Sequence, residues 1–203
     1  MKKYLFLIVL FHNFCYADEP PSWEPYKVVS ENREYFCWVD FNDNDTSKYE
    51  WERKWILKVY NKDSTLFWER DYQPSGYSGG ILSNDGRKFI YIEYWYSPNY
   101  AIEITKQDGN DIRIAGKDFN IKEHYLQETE SHRLWLDYDL YYLKNNKLVV
   151  STIDGNVWEI DTETGIMKMS VQNHFGLALT ASFLLLVFVA FVAVVIIRNF
   201  KKY

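Results

Sequence analysis

Ile81-Leu82-Ser83-Asn84-Asp85-Gly86-Arg87-Lys88-Phe89-Ile90-Tyr91-Ile92-Glu93-Tyr94 is the stretch whose reading decides the fold. A short apolar run meets a turn cluster and gives way to a longer run of β-branched and aromatic residues. That pattern is a strand, a tight turn and a second strand. Asp-Gly supplies the turn, because its glycine reaches the positive φ that tight hairpins need. The same pattern stands 53 residues earlier, where Val28-Val29-Ser30 leads to Phe36-Cys37-Trp38-Val39-Asp40-Phe41. A third copy, one residue shorter in its turn, runs from Tyr142 to Val150.

Further strands follow each copy. Trp55 to Tyr60 and Leu66 to Tyr72 complete the first, and Ala101 to Thr105 and Ile112 to Ala115 the second. Val157 to Asp161 and Ile166 to Ser170 complete the third. The separators Asn61-Lys62-Asp63, Gln107-Asp108-Gly109, Ile153-Asp154-Gly155 and Glu163-Thr164-Gly165 are turn formers. No sustained helical period appears between Asp18 and His174, apart from a short turn near Asp118 to Glu130. The expectation is an all-β domain of about three four-stranded antiparallel repeats, over 26–72, 80–116 and 134–171.

Asn156-Val157-Trp158-Glu159-Ile160-Asp161-Thr162-Glu163-Thr164-Gly165 looks like the strand-and-turn signature of quinoprotein-type and related exported β-propeller repeats. Ser83-Asn84-Asp85-Gly86-Arg87 resembles the Ser-x-Asp-Gly-Arg turn of bacterial propeller blades. The resemblance covers most of residues 26–171 and implies blade-like, propeller-like units. It implies no activity, because propellers host unrelated functions. Three units are fewer than the four to eight blades of a typical closed ring. A compact three-unit barrel, an open stack of small sheets and a sandwich all remain open.

The ends of the chain set its location. Lys2 and Lys3, the apolar stretch Tyr4 to Phe14 and Cys15-Tyr16-Ala17 read as a signal peptide over 1–17, cut before Asp18. Phe175 to Ile197 run without a charge, then Arg198, Lys201 and Lys202 follow. As a helix that stretch is about 35 Å long, enough to cross a ~30 Å hydrocarbon core. The expectation is a transmembrane helix over 175–197, with a basic cytoplasmic tail over 198–203. The chain is then a single-pass type I membrane protein whose N-terminal domain, 18–174, is extracytoplasmic, periplasmic or at the cell surface.

All 28 acidic residues lie in that domain, whereas five of the 23 basic ones sit at the two ends. An acidic domain excludes nucleic acid as a partner, since phosphate contacts need clustered Lys and Arg. The expected partners are the lipid bilayer and a membrane or envelope protein. After signal cleavage Cys37 is alone, so no internal disulfide forms, and its apolar neighbours mark it as a core residue.

Chemistry-bearing patterns are few. Gly76-Tyr77-Ser78-Gly79-Gly80 matches the G-x-S-x-G nucleophile elbow, which needs a strand turning into a helix. Ile81-Leu82 follow directly instead, so the string reads as a connection; an exported serine hydrolase using Ser78 is the alternative. Asp40-Phe41-Asn42-Asp43-Asn44-Asp45 lacks the glycine and terminal glutamate of a calcium loop. Asn44-Asp45-Thr46 is a glycosylation acceptor string in a glycosylating host. His124, His132 and His174 have no short-spaced partners, so neither a metal nor a cofactor is expected. Glu93 stands out as an acid inside a strand apolar on both faces from Phe89 to Tyr96, with Asp40 and Thr152 as its repeat equivalents. Glu93, Trp95 and Asp40 are the candidate ligand-binding residues, Trp95 as a stacking surface. The functional expectation is a non-catalytic β-domain displayed at the membrane for ligand or protein binding. A structural subunit of an envelope complex, using a free sheet edge, is the third reading.

Overall fold

The computed structural model describes residues 21–43, 47–129 and 131–171. The signal peptide, the 175–197 span, the basic tail and the Asn44-Asp45-Thr46 string lie outside the described residues. Among the described residues no helix is long and apolar enough to cross a membrane. The domain is all-β, with four antiparallel sheets and only three short 3₁₀ turns among the described residues.

Three of the sheets are four-stranded meanders whose neighbours in space are neighbours in sequence. Sheet one holds β1 (Tyr26–Val29), β2 (Tyr35–Phe41), β3 (Trp55–Asn61) and β4 (Leu66–Tyr72). Sheet two holds β5 (Ile81–Leu82), β6 (Lys88–Ile92), β7 (Ile102–Lys106) and β8 (Ile112–Ile114). A small ribbon, β9 (Gln127–Glu128) with β10 (Arg133–Leu134), precedes sheet three. Sheet three holds β11 (Leu136–Lys144), β12 (Lys147–Thr152), β13 (Val157–Asp161) and β14 (Met167–Val171).

The hairpins close through the turn residues that the sequence supplies. Asn61 Oδ1 accepts the amides of Asp63 and Thr65, and Asp161 Oδ1 those of Glu163 and Thr164. Asn145 and Asn146 both adopt positive φ, as a two-residue primed turn requires. The 53-residue repeat is visible in its bonds. Ser30 Oγ donates to Asn32 Oδ1 and accepts from the Tyr35 amide, while Ser83 Oγ donates to Asp85 Oδ1 and accepts from the Lys88 amide. Gly86 is required twice over, by its φ of +69° and by the Tyr35 ring, which covers the place of its missing side chain; its carbonyl accepts Trp68 Nε1 at 2.7 Å.

Sheet two is sandwiched between the other two. Alternate residues of β6 serve two cores, as the two-residue period of a strand dictates. Phe89 and Tyr91 join Cys37, Val39, Leu57, Val59 and Trp68 of sheet one. Ile90 and Ile92 join Phe119, Trp135, Leu148, Val150 and Ile160 on the other side. Trp55, Trp68, Trp135 and Trp158 are buried in these cores. Cys37 is fully buried, and burial pushes its thiol up to about 12.

Side-chain clips fix the sheets end to end. At one end, the turn end, Asn32 Nδ2 donates to the Asn84 carbonyl at 2.8 Å and Lys106 Nζ to the Glu163 carbonyl at 2.6 Å. Lys88, buried between sheets two and three, pairs there with Glu163 at 2.5 Å. At the opposite end Trp23 N donates to the Gly76 carbonyl, Trp135 Nε1 to the Glu93 carbonyl, and Ile153 N to the Trp135 carbonyl. β14 starts after the 162–166 turn and finishes where Val171 pairs with Val157, at this second end. The described chain therefore enters and leaves at the same end, here the exit end.

Of two features outside the sheets, the first differs from the sequence expectation and the second is the short turn expected there. The strand expected to continue from Phe89 to Tyr96 stops at Ile92, because the chain turns out of the sheet and pairs Trp95 with Leu134. The segment near Asp118 to Glu130 forms two 3₁₀ turns, Gly116–Phe119 and Glu123–Tyr125, that lay Phe119 and Leu126 into the second core.

Candidate functional site

Two concavities mark the two ends. At the turn end a funnel of about 850 Å³ opens among Glu31, Asn84, Asp85, Tyr141, Tyr142 and Asn145, where the inner hairpins of the three meanders converge. Its walls are the turn residues of the fold, and it contains no buried charged group aimed inward. At the exit end a cleft of about 300 Å³ lies at the end of β6, lined by Tyr77, Ser78, Tyr91, Tyr94, Trp95 and Tyr141, among others.

Glu93 does not itself line this cleft but stands in the chain between two residues that do, Ile92 and Tyr94. It is only 8% exposed, since the chain leaves the sheet at this point and folds the carboxyl under the turn. Its Oε1 accepts the Tyr94 amide at 3.1 Å and the Trp95 amide at 3.5 Å. Ser75 stands close by, and its Oγ shares a short 2.5 Å bond with the Tyr91 hydroxyl. Burial raises the Glu93 carboxyl above its ordinary value, opposed by these bonds and by nearby His132. Burial likewise lifts the Tyr91 phenol, helped by the Glu93 charge, so it stays a neutral hydrogen-bonding group.

Trp95 is a wall, not a platform. One face stacks on the His132 ring with centroids 4.6 Å apart and planes 18° from parallel. Tyr94 packs edge-on against the indole, and Trp95 Nε1 donates to the Tyr77 hydroxyl at 2.9 Å. Only 8% of Trp95 is exposed, whereas Tyr94 is open to solvent. The aromatic ring open to solvent beside Trp95 on this cleft is thus Tyr94.

Glu93 and Trp95 meet at one site, and Asp40 does not join them. Asp40 sits half-buried near the end of β2, its Oδ1 accepting the Phe41 amide at 2.7 Å, and it does not line the cleft. Thr152, the third repeat equivalent, caps the β12–β13 turn by donating to Asp154 Oδ1 at 2.6 Å. Ser78 lies on the cleft in an irregular segment that runs into β5 with no helix after it. No hydrogen bond joins Ser78 to His124 or His132 among the described residues, and Trp95 occupies the face of His132. The geometry of a nucleophile elbow is missing. No group of three or more metal-ligating side chains occurs among the described residues.

Ser75, Tyr77, Tyr91 and His132 complete the site without having been singled out. Tyr77 carried a signal, as the residue between Gly76 and Ser78 in a string whose glycines all take positive φ. His132 reads in the sequence as a metal-ligand candidate without close partners, because its contact with Trp95 spans β7, β8 and most of the connection to sheet three.

No protein-family model and no curated protein matches this chain.

Proposed function

We propose that the chain is a membrane-tethered, extracytoplasmic β-domain that binds a small polar ligand in the Glu93–Trp95 cleft, without chemistry of its own. One observation carries the reading: a buried carboxyl of raised proton affinity lies beside a rim of Tyr77, Tyr94 and Trp95. Aromatic faces with hydroxyls and one buried acid suit a ring-shaped, uncharged, hydrogen-bonding ligand such as a saccharide. The domain's acidity disfavours polyanions. The tether reading rests on the uncharged stretch 175–197 and the basic residues after it. The propeller-like reading rests on the strand order of the three meanders and the sandwiching of the middle one, an open arc of blade-like units.

Titration of the detergent-solubilised full-length chain with neutral oligosaccharides, read by tryptophan fluorescence, tests the ligand class. The expected result is a saturable change that Tyr94→Ala weakens at least tenfold. A response unaltered in Tyr94→Ala, or no response to any neutral saccharide, refutes it.

A further inference from the structure

The exit end carries a surface that the fold does not use. β14 delivers the chain there at Val171, and Phe175 opens the uncharged stretch. Gln172, Asn173 and His174 between them reach at most about 10 Å when fully extended. The end of β14 therefore lies within about that distance of the start of the span, which brings the exit end toward the bilayer.

Four large aromatic side chains stand exposed at the same end, from three separate loops. Tyr49 is 64% and Trp51 50% exposed in the β2–β3 loop, Tyr94 is 42% exposed after β6, and Tyr125 42% after β8. Tyr49 and Trp51 are held as a parallel stack, centroids 4.6 Å apart, on a 3₁₀ turn anchored by Trp55 Nε1 to the Glu50 carbonyl. The neighbouring Trp55 shows that the same loop can bury an indole, yet Trp51 points outward. At the turn end the exposed large apolar side chains include the aromatic Phe67 and Tyr142 beside the aliphatic Val29, Leu66 and Ile166, and no tryptophan among the described residues. Tyr and Trp are the residues that gain at a membrane interface, where an apolar ring and a polar tip meet different surroundings. Glu50, Glu52, Arg53 and Lys54 beside them mix both signs, so the surface does not depend on anionic lipid.

We propose that the exit end is a lipid-facing surface, with Tyr49, Trp51, Tyr94 and Tyr125 at the headgroup level of the bilayer that residues 175–197 cross. The inference rests on the tether reading and adds an orientation to it: the turn end points away from the membrane, and the Glu93–Trp95 cleft is reached along the membrane surface.

The test uses the full-length chain reconstituted in phosphatidylcholine vesicles, with a nitroxide label on Trp51→Cys, Tyr125→Cys or Asn145→Cys in turn. Cys37 is fully buried and stays unlabelled in the folded chain. Power-saturation spectroscopy then compares collisions with oxygen, which concentrates in lipid, and with a water-soluble nickel complex. Labels at 51 and 125 are expected to favour oxygen and the label at 145 nickel, unchanged by added salt. If the chain floats with vesicles and resists carbonate while 51 and 125 behave like 145, the orientation is overturned and the tether stands. Labels shielded from both reagents report a protein neighbour, such as a second copy, and overturn it too. A chain that carbonate strips from the vesicles overturns the tether and this inference together.

Discussion

Replacing Trp135 with phenylalanine tests whether the three meanders form one cooperative unit. Trp135 sits in the crossing from sheet two to sheet three, fully buried, with Phe119 packed at a centroid distance of 4.9 Å. Its indole N–H donates to the Glu93 carbonyl at 2.8 Å and its own carbonyl accepts the Ile153 amide at 2.9 Å. Phenylalanine keeps the aromatic packing and the backbone bond but leaves the Glu93 carbonyl without its donor, at about 1–3 kcal/mol. Loss of the second ring removes about two methylene equivalents of buried surface, a further ~1.5 kcal/mol. The sum, about 3 kcal/mol, corresponds to a fall in Tm of roughly 6–12 °C for a domain of this size. Calorimetry of the full-length chain in mild detergent measures it, and a single transition shifted as a whole is expected. A shift below about 2 °C, or a split into two transitions, refutes the claim that this residue locks the sheets together.

Three further outcomes follow from the same contacts. The Glu93 carboxyl has a folded pKa above its ordinary value, so its contribution to stability is complete below that ordinary value and is lost as pH rises through the folded pKa. Urea midpoints of Glu93→Gln, whose amide oxygen still accepts the Tyr94 and Trp95 amides, should therefore match or exceed wild type above this window; a wild-type advantage that grows with pH contradicts it. The Tyr26 and Tyr72 hydroxyls approach each other in the first core without meeting hydrogen-bond geometry, so Tyr72→Phe should be neutral or stabilising by about 1 kcal/mol, and a loss above about 1 kcal/mol in denaturant melts contradicts that. Gly86→Ala must hold a left-handed residue, at about 1–2 kcal/mol, and also displace the Tyr35 ring; thermal melts should show a loss of at least about 2 kcal/mol.

The meanders were legible because their strands are bounded by Asx turns and alternate cleanly. β12 and β13 show it best: Leu148, Val150, Trp158 and Ile160 face the core, with half-buried Val149 and Glu159 between them. The end of β6 was not legible. Trp95 and Tyr96 continue the apolar run, but their partners are Leu134 and Arg133, a pairing between distant residues that no local pattern announces. The ribbon β9–β10 has two residues per strand, too few for any period to show. Glu93 was legible as an anomaly, an acid in an apolar run, and its bonds to the next two amides are what a buried carboxylate needs. The role of Trp95 was not, because His132 takes its face. Asp40 shows the limit of reading a site from repeat position alone: it lies on the face of β2 opposite the core residues Cys37 and Val39, whereas Glu93 is folded under the turn that leaves β6.

The central claim, a β-domain held outside a membrane by residues 175–197, is tested most directly by sided labelling. In right-side-out vesicles, an impermeant maleimide is applied to chains carrying Asn145→Cys or Lys202→Cys. The account predicts that position 145 labels at once and position 202 only after detergent, with Cys37 unlabelled in both. Equal labelling of 145 and 202 in intact vesicles, or labelling of 202 alone, would contradict it.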